Sequence, residues 1–172
     1  MRKATVEEKA VTIPVGKAVI NGNLTVPNGA KGIVLFAHGS GSGRFSPRNT
    51  HVAREINAAG IATLLIDLLT EEEEAIDEST GEYRFNINLL AQRLVHATEW
   101  VKKNSDTKSL SIGYFGASTG AATALIAAAK LPEQVKAVVS RGGRPDLAGD
   151  HLPNGGRRRS SSLEATTPTY WS

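Results

Sequence analysis

The chain of 172 residues contains no cysteine. Disulfides, thiolate metal sites and a Cys nucleophile are therefore excluded. It also lacks an apolar run of the ~18 to 20 residues that a membrane span needs, so no membrane partner is expected. Met1 to Thr12 alternates charged and apolar side chains and has no apolar stretch of the signal-peptide kind, which makes a reducing cytoplasm the expected location. No metal-ligand spacing occurs anywhere, and none is expected to be bound. Net charge is scarce too. The formal balance is +3, and the last eighteen residues supply +2 of it through Arg157, Arg158 and Arg159 against Glu164. A body of about +1 is too weakly charged to grip a phosphate backbone, so no nucleic-acid partner is expected. At 40% hydrophobic and 22% charged residues, the composition is that of one ordinary globular domain.

Along the chain, residues 4–13 and 17–26 alternate as two strands joined at Pro14-Val15-Gly16 and closed by Pro27-Asn28-Gly29. Gly32 to Ala37 is a continuous apolar run bounded by turn residues, the pattern of a strand buried on both faces of a parallel sheet. A Gly/Ser loop from His38 to Ser46 follows. Pro47 then suits the first turn of a helix that reaches about Ala59 and stops at Gly60. Ile61–Ile66 is a second buried strand ending at Asp67, and residues 70–85 read as an acidic connection in which Glu71 to Glu74 form a solvated loop over one rim of the sheet. A helix over 86–103, a strand at 109–115, an alanine-rich helix over 119–130 and a strand at 135–140 complete the series. This alternation predicts a mostly parallel α/β sheet with helices on both faces and an antiparallel amino-terminal edge. Periodicity ends at Asn154. The expected organisation is a domain over 1–154 and a disordered or out-of-frame tail over 155–172.

The chemistry concentrates at Gly116-Ala117-Ser118-Thr119-Gly120. Gly-x-Ser-x-Gly carries weight only where a buried strand turns sharply into a helix, so that the serine is forced into a strained and exposed conformation. Its neighbours two positions away must then be tiny, as Gly116 and Gly120 are. The helix that follows would aim its amino terminus, with the Thr119 N–H, at an oxyanion. The second donor is expected from the His38-Gly39-Ser40-Gly41-Ser42-Gly43 loop, with Ser40 and Gly41 as the candidates. His38, at the strand end, reads as a residue that hydrogen-bonds the loop, not as a base.

Phe36-Ala37-His38-Gly39-Ser40-Gly41-Ser42, Ser46-Pro47-Arg48-Asn49, Gly113 to Gly120 and Ser140 to Leu147 together resemble the dienelactone hydrolase-like group of the α/β-hydrolases, over residues 4 to about 153. The resemblance implies a Ser-His-Asp hydrolase of small esters or lactones that works through an acyl-serine and needs no cofactor. It also implies a triad acid after the seventh strand and a histidine after the eighth, units absent from this sequence. Downstream of Ser118 the sole histidine is His151, so a makeshift triad of Ser118, Asp146 and His151 stays open. A chain missing its last units would leave the strand at 135–140 without a neighbour, a template for an edge-strand dimer. Two other readings stand beside the hydrolase. One is a fold without catalysis that serves as a binding module. The other is an NAD-binding oxidoreductase, in which the glycines at 39, 41 and 43 would precede a ribose-binding Asp67; Arg44 in place of the third fingerprint glycine argues against it.

Overall fold

The computed structural model of the chain describes residues 6–143. Strands β1 (Glu8–Val15) and β2 (Ala18–Thr25) form an antiparallel hairpin. Next come β3 (Gly32–Ala37), α1 (Pro47–Ala58), β4 (Ala62–Ile66), α2 (Glu71–Thr80), α3 (Ile87–Lys103), β5 (Ser111–Ala117), α4 (Thr119–Lys130) and β6 (Val135–Arg141). The sheet order is β1-β2-β4-β3-β5-β6, and β4, β3, β5 and β6 run parallel. The hairpin joins β4 antiparallel through β2, so the expected antiparallel edge is present.

The hairpin turn lies later than expected. β1 runs through Pro14 and Val15, and Gly16 turns the chain at φ 74°. Proline is tolerated there because β1 is the outermost strand. Val15 pairs with Ala18 across a two-residue turn, so Pro14, opposite Val19, falls at the non-hydrogen-bonded site where an N–H would point away from β2.

Alternation along the strands divides the core. Phe36, Leu65, Phe115 and Ala117 face α1, where Ala53 packs on them. Leu35, Leu64, Ile66, Ile112 and Tyr114 face the opposite way into a larger cluster with Leu90, Leu94, Ala97 and Val101 of α3 and Ala122, Ile126 and Ala127 of α4. The Tyr114 hydroxyl lies 2.5 Å from Thr98 Oγ1 inside that cluster. Its burial pushes the phenol pKa up, and the bond to Thr98 offsets only part of this.

The acidic stretch departs from expectation. It is not a solvated loop but the first turn of α2, capped by Thr70. Thr70 Oγ1 accepts from the Glu73 N–H at 3.2 Å, and Glu73 Oε2 accepts from the Thr70 N–H at 2.9 Å. Four carboxylates in the first turn also complement the positive end of the helix. Glu73 is further fixed by Arg93 of α3 at 2.5 Å, and Glu71 by Asn21 at 3.1 Å.

Candidate active site

β5 leads straight into α4 through one residue, Ser118, with φ 55° and ψ −121°. Among the described residues it is the single non-glycine with positive φ. Such a conformation costs about 1–3 kcal/mol and persists only where the surroundings impose it. Here the Ser118 N–H donates to the Arg141 carbonyl of β6 at 3.2 Å, and its carbonyl accepts the Ala121 N–H at 3.0 Å. The residue is exposed while its neighbours Ala117, Thr119 and Gly120 are buried. The Ser118 hydroxyl is thus presented at the carboxyl end of a central parallel strand, on top of a helix amino terminus.

The two flanking glycines make the corner sterically feasible. A Cβ on Gly116 would stand 2.4 Å from the Gly120 carbonyl oxygen, and one on Gly120 would stand 2.0 Å from that of Ala37. The loop after β3 lies against the corner. A Cβ on Gly39 would come within 3.3 Å of the Ser118 Cβ, and Gly41 turns the loop at φ 69°. Ser40 Oγ lies 2.9 Å from Thr119 Oγ1. The N–H groups of Ser40, Gly41 and Thr119 donate to no other described residue. Ser46 caps α1 with Pro47 at its first position, which ends the loop.

His38 is buried and both ring nitrogens are engaged. Nδ1 lies 2.8 Å from the Gly39 carbonyl, an acceptor, so it carries the proton; Nε2 accepts the Leu68 N–H at 3.0 Å. Burial lowers its pKa, against smaller opposing effects from the Gly39 carbonyl and Asp67. The imidazole therefore ties the loop after β3 to the end of β4 and has no free lone pair for Ser118. Its pKa has a consequence for stability. Below about pH 6.5 the unfolded chain binds a proton that folded His38 refuses, so stability falls as pH drops. One proton contributes at most ~1.4 kcal/mol per pH unit. Melting followed between pH 7.5 and 5 should show this fall, and His38→Gln should flatten it; equal slopes in both proteins would remove His38 as the cause.

Asp67 does not face a ribose site. It accepts from the Arg44 N–H at 2.7 Å and forms an ion pair with the Arg44 guanidinium, and a Cβ on Gly43 would stand 2.8 Å from its Oδ1. Its carboxylate holds the far end of the loop. Between this loop, Thr119 and the α2–α3 connection lies a cleft of about 100 Å³, with Glu74, Glu78 and Arg84 at its walls. Burial raises the Glu74 pKa, and the nearby Asp67, Glu78 and Asp77 carboxylates raise it further. Thus one of the four consecutive acids, Glu74, lines the cleft, while Glu71 and Glu73 are turned to Asn21 and Arg93.

Sequence reasoning missed Asp77 and Arg84. Asp77 is 4% exposed and accepts the Tyr83 N–H at 2.7 Å, the Arg84 N–H at 2.9 Å and Arg84 Nε at 2.8 Å. Burial alone would raise its pKa, but the Arg84 and Tyr83 N–H groups and the Arg84 guanidinium hold the carboxyl below its usual value. The local signal was Gly81, the left-handed cap that ends α2. Asp146 and His151, the makeshift acid and base, lie outside the described residues, as does the boundary at Asn154. Among the described residues no group of three His, Asp or Glu side chains is placed to hold a metal, and no helix is long and apolar enough to cross a membrane.

Comparison with known proteins agrees with this fold. The family model for the X-Pro dipeptidyl-peptidase (S15 family) matches residues 69–169. The crystal structure of dienelactone hydrolase from Anabaena variabilis is similar at 63% sequence identity and a TM-score of 0.85, over 86% of this chain and 68% of that one. Est1E from Butyrivibrio proteoclasticus, at 20% identity and a TM-score of 0.61 over 75% of this chain and 48% of that one, shares the fold. Two relatives from Mycobacterium tuberculosis strains, which carry the provisional name of a phosphoribosyl transferase, are 54% identical over 145 residues. The match takes in 84% of this chain and 32% of each relative, so the chain spans about a third of their length.

Proposed function

The chain belongs to the dienelactone hydrolase-like group of the α/β-hydrolase superfamily, and from that premise we propose that it is a serine hydrolase of carboxylic esters or lactones, with Ser118 as nucleophile. One observation carries the reading: an exposed serine at φ 55° between a buried strand and a helix amino terminus. Ser118 Oγ attacks the carbonyl carbon and its proton passes to a base. The carbonyl oxygen becomes an oxyanion between the Thr119 N–H and that of Ser40 or Gly41. Collapse breaks the bond to the alcohol oxygen, which takes up the proton. A lactone opens and stays attached as the acyl group, whereas an ester releases its alcohol. Water then attacks acyl-Ser118, returning the proton to Ser118 and freeing the acid. No cofactor is required.

Arg44 and Arg84 are neutralised by Asp67 and Asp77. Glu74 and Glu78 then leave the cleft negative, which favours neutral esters and lactones over carboxylate-bearing ones. The phosphoribosyl transferase name belongs to chains of which this segment is a third, and it is not extended to Ser118.

A second reading, a hydrolase fold that binds without turning over, draws on the engagement of both His38 ring nitrogens by Gly39 and Leu68. A fluorophosphonate probe tests the proposal. Slow labelling of the chain is expected, with complete loss in Ser118→Ala. Labelling that persists in the variant, or none in the parent after hours at high probe concentration, would sink the assignment of Ser118.

A further inference from the structure

The two segments that carry the proposed oxyanion donors are 79 residues apart in sequence and meet through side-chain hydroxyls, Ser40 Oγ and Thr119 Oγ1, 2.9 Å apart. Ser40 also donates to the Arg84 carbonyl at 3.3 Å. Ser40 has a single hydroxyl proton, and a carbonyl can only accept. With that proton on Arg84, Thr119 must supply the proton of the 2.9 Å bond. A directed chain results, from Thr119 to Ser40 to the Arg84 carbonyl.

The position of that carbonyl is set by Asp77. The carboxylate takes the Tyr83 and Arg84 N–H groups and Arg84 Nε, while its own backbone carbonyl takes the Gly81 N–H at 2.8 Å and Arg84 Nη2 at 2.6 Å. Residues 81–84 are thus wrapped around the last turn of α2. On the other side, a Cβ on Gly41 would stand 4.0 Å from Arg84 Nη1, so the Gly/Ser loop rests on this wrapped segment. The loop needs an external tether. Residues 39–43 are glycine and serine, offer almost no side chain for packing, and include a left-handed residue at Gly41. Oxyanion donors must be held in place before the charge develops.

We propose that Asp77 is a positioning residue for the oxyanion loop, acting through the Arg84 carbonyl and the Ser40–Thr119 hydroxyl bridge. The inference rests on the reading of Thr119 and Ser40–Gly41 as oxyanion donors, but the order of the loop can be measured without catalysis. Hydrogen exchange of the whole chain, read on peptides covering residues 38–43, is compared among the parent, Ser40→Ala, Asp77→Asn and Asp77→Glu. Both Ser40→Ala and Asp77→Asn should exchange there about fivefold faster, the scale of one net hydrogen bond. Peptides from β3 and β5 should stay unchanged, and Asp77→Glu should recover part of the protection. In the same proteins the limiting rate of Ser118 labelling should fall severalfold while the half-saturating probe concentration holds.

Parental exchange in a folded Asp77→Asn overturns the proposal, even if Ser40→Ala loosens the loop. If Asp77→Asn does not fold, Ser40→Ala and Asp77→Glu decide: the proposal stands if the first loosens the loop and the second loosens it less, and it falls if both exchange as the parent does. Absence of labelling in the parent would sink the hydrolase reading and leave the exchange result to decide the tether.

Discussion

Gly120→Ala is expected to prevent the chain from reaching its native fold, or to lower its melting temperature by more than about 10 °C. A Cβ at that position would stand 2.0 Å from the Ala37 carbonyl oxygen and 2.6 Å from that of His38. Both obstacles are backbone, the last residue of β3 (the strand between β4 and β5) and the residue that follows it, so neither can swing aside. Relief requires α4 to draw back from the sheet, which opens the core around Ala121, Ala122 and Ala124, all essentially inaccessible. Overpacking ordinarily costs about 1–3 kcal/mol, and backbone obstacles put this site beyond that range. A domain whose total stability is about 5–15 kcal/mol has little reserve against it. Gly60→Ala is the control. Gly60 has φ 83° but nothing within 4 Å of a would-be Cβ, so the cost there is conformational alone, about 1–2 kcal/mol. Urea unfolding of the two variants should separate them widely. If Gly120→Ala melts within two or three degrees of the parent, in the range expected for an ordinary surface change, the close approach of α4 to β3 is not what the nucleophile turn depends on.

Joining residues 1–143 to the carboxyl-terminal part of the Anabaena variabilis dienelactone hydrolase is expected to raise p-nitrophenyl acetate hydrolysis by at least ~10³-fold. The estimate rests on measured triads, in which loss of a member costs ~10⁴ to 10⁶ in turnover while the oxyanion hole and binding retain ~10³ over water. Residues 6–143 hold Ser118, the proposed nucleophile, and the helix amino terminus, but His38 is committed to Gly39 and Leu68. The resemblance places the acid and base after strands that follow β6. At 63% identity the grafted strands should find a compatible edge at β6. The chain as it stands should hydrolyse near background. Turnover of about ten per second, a typical enzyme value, abolished by Asp146→Ala and by His151→Ala, would establish the makeshift triad instead.

The parts legible in the sequence were those decided within a few residues. Pro47 and Gly60 bracket α1, and α4 occupies Thr119–Lys130 as its alanine-rich run predicted. The strand-to-helix turn at Ser118 was readable because its sterics are local: a serine in that strained corner needs glycine two residues away on each side. A local signal was also overlooked. Thr70-Glu71-Glu72-Glu73 is a capping box, and Gly81 closes the helix it opens; the run of acids was read for its charge when its spacing carried the information.

Other features had no local signal at all. Strand alternation cannot tell that β3 lies between β4 and β5, since that order depends on pairing between segments far apart in the chain. Likewise, Gly81 signals only the end of a helix, and nothing in the sequence marks Asp77 as the partner of Arg84, or Ser40 as that of Thr119. A carboxylate and a hydroxyl are ordinary surface residues until folding removes water and brings donors to them. By itself the sequence determined most of the elements, α2 excepted, and the turn that carries Ser118. The tertiary structure decided which polar groups were left to hold the Gly/Ser loop after β3, because burial makes an unpaired hydrogen-bonding group costly and so selects its partners from whatever the fold places within reach.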